Sequence, residues 1–88
     1  MSNGNATIRN HIRRLRFEHG EMSQDKLGSQ AGVTRHTIMA LEAGKYFPSL
    51  LLAFRIARAF GVGLEQVFEY SEAGDAGFPA SSEGESQK

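Results

Sequence analysis

The sequence contains no cysteine and no tryptophan, and only two of its 88 residues are proline. Without Cys there is no disulfide framework, cysteine zinc site, iron–sulfur cluster or thiol nucleophile. The composition also excludes collagen, coiled coil and mucin-like chains. No apolar run approaches the ~18 residues that read as a membrane span. The N-terminal stretch MSNGNATIRN is polar and lacks the apolar centre of a secretory signal. The expectation is a soluble, cytoplasmic chain with room for one small domain.

Net charge is missing too, because ten Lys/Arg balance ten Asp/Glu. The balance hides a segregation. Met1 to Val62 hold nine Lys/Arg and four Asp/Glu, a net +5, whereas Gly63 to Lys88 hold one Lys and six Asp/Glu, a net −5. A basic body ahead of an acidic tail suggests a polyanion as partner of the body. A solvated charged surface accounts for it equally well.

Strand patterns are absent, and the body reads as short helices. Ile8, Ile12 and Leu15 recur at helical spacing with Arg9, Arg13, Arg14 and Arg16 between them. This predicts a first helix over Ile8–His19, with Thr7 as N-cap and Gly20 as stop. Ser23 caps a second helix running to Ala31, with Asp25 in its first turn, where the helix dipole favours an anion. Thr34 caps a third, Arg35–Ala43, and Ser49 a fourth, Leu50–Phe60, closed by Gly61. A short fifth helix is expected over Leu64–Glu69. The fourth helix is apolar nearly all round, broken only by Arg55 and Arg58. That predicts a central helix, buried on most sides, that also meets a partner subunit. After Tyr70 the composition turns to Gly, Ala, Ser and acids, so residues 71–88 are expected to be a disordered tail and 1–6 a flexible N-terminus.

Catalytic constellations are lacking. His11 and His19 have no metal-ligand partner at i+3 or i+4, and Glu18 and Glu21 flank a loop without a positioned nucleophile. No enzyme activity, metal or cofactor is expected.

What the chain does carry is the span Gln24 to Ala43, QDKLGSQAGVTRHTIMALEA. Its fifth position is small, Gly28, and its ninth is Gly32, at a turn. Leu27, Ala31, Val33, Ile38 and Leu41 supply the apolar positions, and no Pro interrupts either helix. Two helices crossing steeply over a tight turn need this pattern, which is that of a helix-turn-helix. Arg35, His36, Thr37, Met39 and Ala40 then face away from the core. Arg35 can grip guanine O6 and N7 with two donors, His36 and Thr37 can donate or accept, and Met39 and Ala40 can touch thymine methyls. A solvated helix face is the plainer alternative. Gln24 and Thr34 stand at helix starts that favour phosphate, and Lys45 and Tyr46 follow the third helix as further phosphate candidates.

Beyond spacing, the stretch MSQDKLGSQAGVTRHTIMALEAGKYFPSLLLAFRIARAFGVGLEQVF resembles the helix-turn-helix domain of the phage Cro and repressor type, the XRE family, in its short stand-alone prokaryotic form. The likeness runs from about Ile8 to Phe68. It implies an all-α, compact five-helix, lambda-repressor-like domain over residues 7–70 that binds DNA and regulates transcription, commonly as a dimer. The resemblance further implies that Gln24 touches the DNA backbone and that Glu42 pairs with an Arg of the first helix, here Arg16. Three departures stand out. The loop Gly20-Glu21-Met22-Ser23 is one residue longer than usual, the usual Ala of the second helix is Gly28, and Phe47 replaces a commonly polar residue. Gly28 costs about 1 kcal/mol of helix propensity. Phe47 either staples its loop to the core or widens a subunit contact.

The function expected is a sequence-specific DNA-binding transcriptional regulator, a dimeric repressor reading a pseudo-palindromic operator in the major groove with its third helix. Dimerisation puts two half-sites ~34 Å apart. Leu50, Leu51, Phe54, Val67, Phe68 and Tyr70 exceed what one small core needs and are the candidate dimer contact. No membrane contact or small-molecule effector is expected, and the protein would be nucleoid-associated when bound to DNA. The rival reading is a protein-interaction module, an antitoxin-like partner using the same fold.

Overall fold

The computed structural model describes residues 6–72, in the order β1 (Ala6–Asn10), α1 (Ile12–Glu18), α2 (Gln24–Ala31), α3 (Arg35–Glu42), α4 (Leu50–Phe60), α5 (Leu64–Val67) and β2 (Phe68–Glu72). A helix starts well where a side chain satisfies its free N–H groups. Ser23 Oγ accepts from the Lys26 amide at 2.9 Å, and Ser49 Oγ from the Leu52 amide at 3.1 Å. Thr34 Oγ1 accepts from the Thr37 amide over a longer 3.4 Å. These caps set the starts of α2, α4 and α3 where the sequence places them. Gly32, with φ at 79°, ends α2 in the left-handed conformation that glycine adopts without strain.

The ends of the chain differ from expectation. The mostly helical domain has five helices, and among the described residues it also carries an antiparallel pair of strands. The first helix starts at Ile12, not Ile8, because Thr7 and Ile8 lie in β1. Thr7 is therefore not its N-cap. His11 holds that position, and Asn10 Oδ1 accepts from the Ile12 amide at 3.2 Å. The fifth helix stops at Val67, and Ser71 and Glu72, read as tail, extend β2. The register pairs Ile8 with Tyr70 and Arg9 with Glu69. β-Branched and aromatic residues suit such a half-exposed ladder. Arg9 and Glu69 also form an exposed ion pair at 3.3 Å, of little energetic weight. The rest of the expected tail, residues 73–88, and residues 1–5 lie outside the described part.

The core joins Ile12 and Leu15 of α1, Leu27 and Ala31 of α2, Ile38 and Leu41 of α3, Ile56, Ala57 and Phe60 of α4, and Val67. α4 is not buried on most sides. Ala53, Ile56, Ala57 and Phe60 face inward, while Leu50, Leu51 and Phe54 face out. Three polar joints tie the ends to this core. Asn10 Nδ2 donates to Leu41 O of α3 at 2.9 Å, and the His11 amide donates to Val67 O at 2.8 Å. His19 places Nδ1 2.8 Å from Leu15 O and Nε2 2.9 Å from Phe60 O, linking the C-terminal ends of α1 and α4.

Gly28 sits where α2 meets the turn. A Cβ built there would lie 2.7 Å from Val33 O and 3.2 Å from Thr34 O, both backbone atoms. Gly28→Ala gains about 1 kcal/mol of helix propensity but forces that turn outward, and overpacking of this kind costs about 1–3 kcal/mol. Urea unfolding is expected to show a net loss of up to about 2 kcal/mol with an unchanged m value. A stabilised variant would show that α2 and the turn can separate freely.

Candidate nucleic-acid interface

The turn Gly32-Val33-Thr34 brings the starts of α2 and α3 to one side of the molecule. There Arg13, Arg16, Ser23, Gln24, Asp25, Arg35 and Glu42 line a single open hollow. Two helix N-termini with their free N–H groups thus open near side chains from α1, α2 and α3, an arrangement suited to phosphate oxygens.

At the back of this hollow lies a buried ion pair. Arg16 Nε donates to Glu42 Oε2 at 2.6 Å, and Arg16 Nη2 to Glu42 Oε1 at 3.1 Å. Arg16 Nη1 donates to Met22 O at 2.8 Å, and the two side chains are 9% and 10% exposed. The bidentate geometry satisfies most of what burial strips of water. Gln24 Nε2 donates to Glu42 Oε1 at 3.1 Å, so one of its amide hydrogens is engaged inward and the other is left for an external acceptor. With Arg16 beside it, Glu42 is a neutralised acid on a face that would otherwise repel an anion.

The cations divide into two groups. Among the described residues Arg9, Arg14 and Arg16 form ion pairs with glutamates, whereas Arg13, Lys26, Arg35, Lys45, Arg55 and Arg58 form none. Of the unpaired group, Arg13 and Arg35 share the hollow between the helix starts. Arg13 was missed in the sequence. Helical spacing exposes Arg13 and Arg14 alike, and only the packing of α1 turns Arg13 towards α2 and α3. Its guanidinium also lies 5.6 Å from the Phe17 ring centroid.

On α3, Arg35, His36 and Met39 are exposed, while Thr37 and Ala40 are half-buried. Thr34 is exposed, and its hydroxyl oxygen accepts the capping hydrogen bond of α3. Lys45 and Tyr46 are exposed after α3, and Tyr46 borders a small hollow with Ile8, Phe47, Pro48 and Phe68. The proposed dimer residues do not all share one surface. Val67 is 0% exposed and belongs to the core, so it cannot meet a partner, and Phe68 is half-buried against the core. Leu50, Leu51, Phe54 and Tyr70 are 69%, 60%, 53% and 60% exposed. Phe47 joins them at 64%, so it does not staple its loop into the core.

A helix-turn-helix family model matches residues 12–67. The chain is 48% identical over 65 residues to YgzD of Bacillus subtilis (strain 168), an uncharacterized HTH-type transcriptional regulator, covering 74% of this chain and 97% of the relative. It is 50% identical over 68 residues to an uncharacterized HTH-type transcriptional regulator of Methanothermobacter thermautotrophicus (strain Delta H), covering 76% and 97%. A proposed DNA-binding protein from Bacteroides fragilis, solved by crystallography, superposes with a TM-score of 0.63 at 24% identity, over 70% of this chain and 98% of that one. That likeness speaks to the fold.

The buried pair makes its own prediction. Removing one partner strands a charge, so Glu42→Ala is expected to cost about 3–5 kcal/mol. In a denaturant double-mutant cycle with Arg16→Ala, the double variant should lose much less than the sum of the singles. Strictly additive losses would show that the two side chains do not support each other.

Proposed function

The chain belongs to the XRE-type helix-turn-helix family of DNA-binding transcriptional regulators, and from that premise we propose that it is a dimeric repressor that reads operator bases with α3 in the major groove. The supporting observation is the shared hollow at the starts of α2 and α3, where Arg13 and Arg35 carry unpaired charge and Glu42 is neutralised by Arg16. Phosphate contacts position such a protein and base contacts specify its site.

In this reading Arg35 binds guanine, His36 and Thr37 hydrogen-bond to neighbouring base edges, and Met39 and Ala40 touch thymine methyls. Gln24, Thr34, Lys45 and Tyr46 hold the backbone, and Arg13 joins them from α1. One helix reads too few base pairs for useful selectivity. Two copies on a pseudo-palindromic operator, with half-sites ~34 Å apart, meet that need. The exposed residues Phe47, Leu50 and Tyr70 supply the contact between copies. The protein works in the prokaryotic cytoplasm by occupying DNA, without a cofactor, an effector or a catalytic step. The same exposed apolar residues favour the rival reading, a module that captures a different protein, and co-purification of a stoichiometric second chain would move that reading ahead.

Selection from random DNA tests the proposal. Wild type should enrich a two-fold symmetric motif. Arg35→Ala should relax one base pair in each half-site at a cost of about 1–3 kcal/mol per lost bidentate contact. Lys45→Ala should weaken all sequences alike and reduce the salt slope by about one unit. An unchanged motif from Arg35→Ala would falsify the base-reading role, and no motif from wild type would remove sequence-specific binding altogether.

A further inference from the structure

The far side of α4 carries a second hollow, formed with α5 and the loop before it. Leu51, Phe54, Val62 and Leu64 make its apolar lining, and Arg55 and Arg58 stand among them. It shares no lining residue with the hollow at the starts of α2 and α3. Leu51 and Phe54 are more than half exposed, and neither arginine has an ion-pair partner among the described residues.

We propose that the C-terminal segment 73–88 of the same chain docks here, with Phe78 in the hollow and its acidic neighbours on Arg55 and Arg58. Two observations select this occupant. The first is composition. Segment 73–88 holds one large apolar residue, Phe78, with Asp75 before it and Glu83 and Glu85 after it. A single aromatic flanked by carboxylates matches an apolar floor flanked by cations. The second is reach. β2 and α5 contain five and four residues. At ~3.4 Å and ~1.5 Å per residue they separate Glu72 from Leu64 by at most ~23 Å. The stretch Ala73 to Phe78 extends ~20–22 Å, and the phenyl side chain covers the remainder.

The inference holds whether or not α3 reads DNA. Its consequence for the contact between copies is that the segment covers the Leu51 side of α4. That leaves the Leu50 and Phe47 side for a partner.

Amide NMR spectra of the full chain provide the test. Phe78→Ser is expected to move the signals of Leu51, Phe54, Arg58 and Leu64 while leaving those of α2 and α3 in place. Arg55→Gln combined with Arg58→Gln should move the signals of Asp75 and Glu83 to their positions in a free peptide of residues 73–88, and high salt should move them the same way. Changes in Phe78→Ser confined to residues 73–88 would overturn the proposal. Contact shifts that disappear on dilution would assign the hollow to the segment of another copy and overturn the intrachain docking. A chain that stays monomeric at every concentration yet shows the Leu51 and Leu64 shifts would refute the dimer and leave the docking standing.

Discussion

The Arg16–Glu42 pair is the joint through which α1, α2 and α3 hold one another. One guanidinium reaches the carboxylate near the end of α3 and the Met22 carbonyl ahead of α2, while Gln24 at the start of α2 binds the same carboxylate. Two charges this deeply buried are tolerable only when their hydrogen bonds are satisfied together. The loop before α2 therefore has one position relative to α3. The residue at the start of α2, a phosphate candidate, is oriented by the same group that would repel phosphate if it were free.

α3 is held at both ends, by different physics. Towards its start, the missing side chain of Gly28 lets α2 and the Val33–Thr34 backbone close to a distance that no Cβ tolerates. Towards its end, Glu42 is fixed by Arg16, and the Leu41 carbonyl accepts a hydrogen bond from Asn10 at the end of β1. The small sheet is thus more than a fringe. It brings Asn10, from an early part of the chain, under the last turn of the helix that the proposed function sends into the groove. With both ends anchored, the exposed side of α3 presents Arg35, His36 and Met39 as a fixed set.

The charges follow the same division of labour. The cations that tie elements together are consumed, Arg16 in the core and Arg9 across the two strands. The arginines left unpaired among the described residues occupy two places, Arg13 and Arg35 by the helix starts and Arg55 and Arg58 on α4. Zero net charge therefore says little about this molecule, because its unpaired arginines are gathered in two hollows with no lining residue in common.

Local chemistry made much of the chain legible. Ser23, Thr34 and Ser49 cap helices three residues away, and Gly32 and Gly61 end them, so α2, α3 and α4 follow from short-range hydrogen bonds and backbone freedom. The steep helix pair, its apolar positions and the outward set on α3 come from the same short periods. Apart from Arg16–Glu42, which the resemblance implied, pairings between distant residues were not legible. Arg9 and Glu69 are sixty positions apart, and nothing local marks their strands, so Ile8 read as the first turn of a helix because it stands four residues before Ile12. The same distance hid Asn10 under α3, Arg13 beside Arg35, and Val67 in the core. The sequence by itself determined where α2, α3 and α4 begin and that Arg35, His36 and Met39 face outward, since those depend on neighbours within one turn. Only the tertiary structure decided which exposed cations share a surface, which apolar residues remain outside, and why Gly28 admits no side chain. Those outcomes depend on how whole elements pack, and packing is set by contacts far apart along the chain.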